Sequence, residues 1–150
     1  MRTSPAGKGF TLIELLVVML IAGLVLTVTP PLLTAALPGL QARSSAQQLA
    51  AGLRMARGQA MAGGGEAVLV LDLARHSFRV GSRPEVRLGR SLELRLDTAA
   101  SELEGEQRGG IRFFGDGSST GGRITLRAGK HAWQVDVDWL TGRVTVDEAV

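Results

Sequence analysis

Several residues in this sequence have types and spacings that could support chemistry. Gly117-Ser118-Ser119-Thr120-Gly121 has the G-x-S-x-G form of a nucleophile elbow, with Ser119 in the nucleophile's place. That elbow needs a strand before it and a helix after it. Here Arg123-Ile124-Thr125-Leu126 reads as a strand, and 150 residues are too few for the hydrolase fold that carries the elbow. A phosphate loop fails as well, because Gly122 is followed by Arg123 and not by Lys-Ser or Lys-Thr. Glu102, Glu104 and Glu106 offer oxygens to a hard cation such as calcium. No aspartate-and-carbonyl loop accompanies them, so a solvated acidic loop is the simpler reading. His76 and His131 are distant in sequence and read as surface histidines. Cysteine is absent, which removes disulfide frameworks, thiol catalysis and Cys-based zinc sites. The expectation is therefore no catalytic residue, no cofactor and no metal site: not an enzyme.

The remaining ionisable group of interest is Glu14. It lies inside the apolar run Phe10-Thr-Leu-Ile-Glu-Leu-Leu-Val-Val-Met-Leu-Ile-Ala-Gly-Leu-Val-Leu-Thr-Val28 and is the one ionisable side chain between Gly9 and Leu40. A charge in a membrane segment costs about 2.5–3.5 kcal/mol at mid-bilayer on insertion scales, less near the edge, and calls for a partner. Four residues separate Phe10 from Glu14, which on a helix is one face and one turn.

The elements that would position these groups follow from composition and pattern. The chain has 17 Lys and Arg against 14 Asp and Glu, a net charge of +3, with 45% hydrophobic residues. It is one domain's worth of chain and can bury a core. Setting aside Arg2, Lys8 and Glu14, both signs are interleaved beyond Gln41, so the high pI does not describe a positive field and a nucleic-acid partner is not expected. As a helix, Phe10 to Val28 would be about 29 Å long, close to the ~30 Å of bilayer hydrocarbon. Arg2 and Lys8 flank it on one side, which keeps that side cytoplasmic and sends the C-terminal part outward. A cleaved signal peptide and a plain single-pass anchor both compete for this segment. The run is longer than a signal-peptide core, and a plain anchor has no use for Glu14.

Gly7-Lys8-Gly9-Phe10-Thr11-Leu12-Ile13-Glu14-Leu15-Leu16-Val17-Val18 resembles the processing site of the type IV pilin and pseudopilin superfamily. The resemblance implies cleavage by prepilin peptidase between Gly9 and Phe10 and N-methylation of Phe10. It also implies an assembly role for Glu14, whose carboxylate would answer the new α-amine of its own or an adjacent subunit.

After the run come Pro30, Pro31 and Pro38, where a kink or a melted stretch is expected. Helical pattern resumes from about Leu40 to Ala62, with Ala46, Leu49, Ala50, Leu53, Ala56 and Ala60 on a narrow stripe and Arg43, Arg54 and Arg57 off it. Gly63-Gly64-Gly65 stops it. Short strands are expected at Ala67 to Leu73, Phe78 to Val80, Leu92 to Leu96, Ile111 to Phe114, Ile124 to Leu126, Ala132 to Val137 and Arg143 to Val146. Gly81 to Gly89 and Thr98 to Gly110 read as loops, and Leu140 to Arg143 as a hairpin turn. Trp133 and Trp139 share parity, so an unbroken strand would point both to one face, either in or near the core or, alternatively, at an interface for a neighbouring subunit.

Phe114-Gly115-Asp116-Gly117-Ser118-Ser119-Thr120-Gly121-Gly122 and Val137-Asp138-Trp139-Leu140-Thr141-Gly142-Arg143-Val144 resemble the C-terminal part of GspH, the minor pseudopilin of type II secretion, and of the related FimT/FimU minor pilins. Gly115 stands where that pattern favours proline. The resemblance implies an α+β, pilin-like fold: a long N-terminal helix, membrane-spanning in its first half, packed on an antiparallel β-sheet or small β-sandwich. The expected organisation is a leader at 1–9, a transmembrane and fibre-core helix at 10–29, a proline-containing stem and amphipathic helix at 30–62, and a periplasmic β-domain at 63–150. The implied role is a minor pseudopilin at or near the tip of a periplasmic pseudopilus, single-pass in the inner membrane. Its implied partners are other major and minor pseudopilins and prepilin peptidase. The alternative is a minor pilin of a type IV pilus or DNA-uptake system. Major pseudopilins of the superfamily use calcium, but no such site is expected here.

Overall fold

The computed structural model describes residues 10–105 and 107–149, with 27–38 described in backbone alone. Its contacts form two units, Met1–Ala36 and Leu37–Val150. One α-helix, α1, covers Leu12–Gly63. Eight strands follow: β1 (Glu66–Asp72), β2 (Ser77–Val80), β3 (Val86–Arg87), β4 (Glu93–Thr98), β5 (Arg108–Phe114), β6 (Gly122–Ala128), β7 (His131–Val137) and β8 (Val144–Ala149). A short 3-10 turn spans Ala100–Glu102 between β4 and β5. The strands make two four-stranded antiparallel sheets, in the orders β3-β2-β1-β5 and β4-β6-β7-β8.

In the first unit α1 begins at an N-cap. The Glu14 backbone N–H donates to the Thr11 hydroxyl at 3.3 Å and the Leu15 N–H to the Thr11 carbonyl at 3.2 Å. The apolar side chains from Leu12 to Leu26 are exposed. No stretch of the described residues is both helical for long enough and apolar enough to cross a membrane. α1 is unbroken from Leu12 to Gly63, so of the kink or melted stretch expected between Pro30 and Gly39 the melted stretch is absent. Proline's fixed φ is itself a helical value, so it can remain in a helix at the cost of one hydrogen bond. The prolines' own side chains, at 30, 31 and 38, lie outside the described residues.

In the second unit the alanine stripe of α1 is the centre of the core. Ala42, Ala46, Leu49, Ala50, Leu53, Ala56 and Ala60 are all buried, against Leu69, Leu71 and Phe78 of one sheet and Ile124, Leu126 and Val135 of the other. Small residues let the backbone of the helix approach the sheets closely. At Gly52 a Cβ would come within 2.6 Å of the Phe78 ring and 3.1 Å of Leu69, so this helix-interior glycine is required by the packing. The helix ends where the triglycine predicts. Gly64 takes φ +60° and the Gly65 N–H reaches back to the Ala60 carbonyl at 3.3 Å.

The strands expected from the pattern are present, with informative differences. β3 falls inside the expected loop 81–89; two exposed residues beside Pro84 carry no periodicity. β5 begins at Arg108, within the expected loop 98–110, because Gly109 and Gly110 show no apolar pattern. Both are glycine for a steric reason: a Cβ on Gly109 would lie 2.7 Å from Leu96, and one on Gly110 2.9 Å from Val68. The Thr98 hydroxyl donates to the Gly110 carbonyl at 2.7 Å, tying β4 of one sheet to β5 of the other.

Candidate functional site

Two parts of the chain carry the sequence signals. The first is the beginning of α1. Phe10 is exposed and precedes the helix; Glu14 lies in the first helical turn and is exposed. Thr11-Leu12-Ile13-Glu14 has the spacing of a capping box, and a first-turn carboxylate also faces the positive end of the helix dipole. The sequence reading missed this second reason for an acid here, although Thr-x-x-Glu ahead of an apolar run is its signature. Gly9 lies outside the described residues.

The second part is the junction of two chain segments far apart in sequence. The loop from Gly115 to Gly121 joins β5 to β6, and the turn Asp138 to Arg143 joins β7 to β8. They are locked together by backbone and short side chains. The Ser119 N–H donates to the Trp139 carbonyl at 2.8 Å, and the Ser119 hydroxyl donates to the Asp138 carbonyl at 3.1 Å while accepting from the Gly121 N–H at 3.0 Å. Ser119 is buried and its hydroxyl is fully engaged, with strands on both sides of its loop, which disposes of the nucleophile-elbow geometry. Asp116 closes the loop by accepting from the Ser118 hydroxyl at 2.6 Å and the Ser118 N–H at 2.9 Å. Asp138 closes the turn by accepting from the Thr141 N–H at 2.7 Å and the Thr141 hydroxyl at 2.8 Å. These bonds favour the ionised acids: the Ser118 hydroxyl and N–H hold Asp116 below the ordinary carboxylate value, and the Thr141 N–H and hydroxyl do the same for Asp138.

Two arginines of α1 brace this junction. Arg57 Nε donates to the Gly117 carbonyl at 3.2 Å, and Arg54 Nη2 to the Val144 carbonyl at 3.2 Å. Gly115 packs against the end of the helix, where a Cβ would lie 2.9 Å from the Gly64 carbonyl carbon. The proline of the related pattern would need a shift there, which accounts for this departure. Gly142, at φ +61°, sits so close to the Gly117 carbonyl that a Cβ would fall well inside 3.0 Å.

The other singled-out residues are placed as follows. Trp133 is half-buried on β7 with Arg43 stacked over its ring at 5.6 Å. Trp139 is 66% exposed, which rules out the first expected placement, in or near the core, because β7 ends at Val137 and the turn breaks the parity. Glu102 is not a solvated loop acid. Its side chain is 7% exposed and pairs with Arg112 at 2.9 Å; Arg112 also holds Glu66 at 2.7 Å. Glu104 is exposed and Glu106 lies outside the described residues, so the three acids are not brought together as a described set. Among the described residues no cluster has the makings of a metal site. His76 is half-buried at φ 51° with Nδ1 3.1 Å from the Gly89 carbonyl, and His131 is half-buried 3.7 Å from Glu148, so neither is freely solvated as expected.

A helix packed by a small-residue stripe onto two antiparallel sheets, with an apolar amino-terminal stem, defines a pilin-like α+β protein. The chain matches the family described as type II transport protein GspH over residues 45–142 and the prokaryotic N-terminal methylation motif over residues 6–29. It is 34% identical over 137 residues to type II secretion system protein H of Xanthomonas campestris pv. campestris, covering 91% of this chain and 81% of that one. The chain belongs to the GspH family. Its fold is similar to that of the minor pseudopilin EpsH of Vibrio cholerae (TM-score 0.59, 12% identity, 72% of this chain and 97% of that one). It is also similar to the type IV minor pilin FimU of Pseudomonas aeruginosa (TM-score 0.53, 15% identity, 71% of this chain and 87% of that one).

Proposed function

We infer that this protein is a minor pseudopilin of a type II secretion system. It is made as a precursor in the inner membrane, cut by prepilin peptidase between Gly9 and Phe10, and N-methylated at Phe10. Residues 1–9 are its leader, 10–29 its transmembrane and fibre-core helix, 30–62 its stem and amphipathic helix, and 63–150 its periplasmic domain. Its work is packing, not catalysis, and its partners are the other pseudopilins of the same fibre. The observation that carries this reading is the pairing, on one chain, of the methylation motif at 6–29 with the GspH match at 45–142.

Physical chemistry supports the division of labour. The exposed apolar side chains from Leu12 to Leu26 are unfavourable in water at about 25 cal/mol per Å2 and stay in lipid or among other stems. Cleavage removes Arg2 and Lys8 and creates a cationic amine at Phe10, one helical turn from Glu14. A paired charge is far less costly than a lone one in a low-dielectric setting. The pairing therefore sets the register of a stem entering the fibre. The type II assignment rests on the 34% identity to a protein of that system; the FimU likeness concerns the fold alone.

Mass spectrometry of the membrane-extracted protein tests the processing: the mature chain begins at methylated Phe10. Deletion of the gene tests the assignment: export of the system's substrates falls and returns with the intact gene. A mature chain beginning elsewhere, or normal export without the gene, overturns the reading.

A further inference from the structure

The geometry points to a protein-docking groove between the end of α1 and the β7–β8 turn, built to receive a segment of a sister subunit that carries a carboxylate. The inference rests on the proposed function and names one contact surface within it. Arg54, Arg57, Gly58 and Met61 of α1 line one wall of this groove and Arg143 of the turn lines the other. Elsewhere in the domain Arg75, Arg95, Arg108, Arg112 and Arg123 are ion-paired to carboxylates of the chain, while other arginines such as Arg79, Arg83, Arg90 and Arg127 are not ion-paired among the described residues; what sets the groove apart is that three arginines line it together. None of the three arginines of the groove forms a salt bridge among the described residues, although the charge of Arg143 helps to keep Asp138 of the same turn ionised. Arg54 and Arg57 donate to the Val144 and Gly117 carbonyls. Those bonds fix the two guanidinium groups in place without neutralising them, and each fork keeps further N–H donors for a planar acid.

Charge complementarity therefore selects an acidic occupant, and the surroundings select a protein. Exposed Met61 and Leu140 border the basic groups, so an apolar side chain next to the acid is accommodated. Gly58 leaves open space above the helix, with nothing within 4 Å of where a Cβ would stand. Asp138 stands in the same turn as Arg143, and its bonds to Thr141 keep it ionised. That fixed negative charge weakens the binding of every anion, but more for a run of phosphates, whether of nucleic acid or of a lipid surface, than for a single carboxylate seated against the Arg54 and Arg57 guanidinium groups.

The test uses the full chain in membranes that also contain the sister pseudopilins. A photo-crosslinking amino acid replaces Gly58, and the crosslinked peptide is identified by mass spectrometry. The expected product joins Gly58 to a sister-pseudopilin segment containing Asp or Glu. Arg143→Glu lowers its yield at least tenfold, Arg143→Gln less so, and an acid-to-Arg change in the partner restores it with Arg143→Glu. The Arg143 side chain makes no hydrogen bond or ion pair among the described residues, and its backbone bonds to Thr141 and Asp138 do not depend on the side chain; an unchanged melting temperature verifies that the variant is folded. A yield indifferent to Arg143→Glu overturns the proposal. So does a product with a segment lacking acids, or competition by phosphatidylglycerol vesicles or duplex DNA. Export separates the two levels: loss of export on gene deletion with an unaffected Arg143→Glu chain removes only the groove, whereas normal export on deletion removes the functional reading.

Discussion

Replacing Gly142 by alanine tests whether the loop after β5 and the turn before β8 are one mechanical unit. Two costs are combined at this position. At φ +61° an L side chain loses about 1–2 kcal/mol relative to glycine. The added methyl also collides with the Gly117 carbonyl and lies 2.9 Å from Arg57 Nε. The carbonyl has to withdraw, and the charge-assisted bond from Arg57, worth about 1.5–3 kcal/mol, is weakened or lost. The total is about 3–4 kcal/mol. Gly129 supplies the control, since its φ is +58° and nothing lies within 4 Å of its Cβ position. Gly129→Ala bears the backbone term alone, about 1–2 kcal/mol. The difference of about 2 kcal/mol corresponds to an extra fall in Tm of roughly 6–12 °C for a domain of this size. Urea unfolding of the full chain in detergent, followed by fluorescence of Trp133 and Trp139, reads the domain selectively. Arg57→Ala should be non-additive with Gly142→Ala, because both remove the same bond. Equal destabilisation by the two glycine variants would refute the reasoning, since it leaves no cost for contact between loop and turn.

Other consequences follow from the same structure. Gly52→Ala should destabilise by about 1–3 kcal/mol through overpacking against Phe78, although alanine is the better helix former; a gain in the urea midpoint would contradict the close approach of α1 to the sheet. The Asp72 carboxyl is held below its ordinary value, first by the Arg75 N–H at 2.9 Å and then by Arg108 at 2.7 Å. A depressed folded pKa contributes stability that is fully present above the unfolded value of ~4 and is lost as pH falls through the folded one. Asp72→Asn should therefore be less stable than the parent at neutral pH and show a flatter dependence of urea midpoint on pH below ~4; parallel pH profiles would argue against it. Glu14→Gln should leave processing at Phe10 intact while lowering incorporation into fibres, measured by shearing and immunoblotting; normal incorporation would remove the charge-pairing account.

The parts of the fold legible in the sequence were those written by periodicity. The alanine stripe of α1 and the alternation in β4 each give a repeating burial pattern, and the triglycine gives the helix stop. What escaped was written by contact. Gly109 and Gly110 are strand residues whose missing side chains make room for Leu96 and Val68, and a pair of glycines with no visible neighbour reads as loop. Glu102 looked solvated among other acids because nothing local announces Arg112, ten residues on, as its partner. Trp139 was placed by parity, which holds only while the strand continues, and β7 ends two residues earlier. The two halves of the C-terminal signature were readable, but not that they meet. That meeting depends on Ser119 bonding across to Asp138 and Trp139, a register that only the assembled sheets define.

A segment rich in glycine, aspartate, serine and threonine invites a chemical role, and the structure shows these side chains holding the loop and the turn in place. Ser119, Ser118, Thr141, Asp116 and Asp138 make hydrogen bonds to nearby backbone and to each other. The result is a turn with few accessible conformations, on which Trp139 and Leu140 stand out into solvent. An exposed apolar pair on a mobile loop would lose conformational entropy on being covered, about 0.5–1.5 kcal/mol for each side chain immobilised. Held by Asp138 from within and braced by α1 through Arg57, this pair is already close to the form it would have against a neighbour. The polar residues thus serve assembly indirectly: they hold a shape, and the residues that would touch a partner are the apolar and basic ones around them.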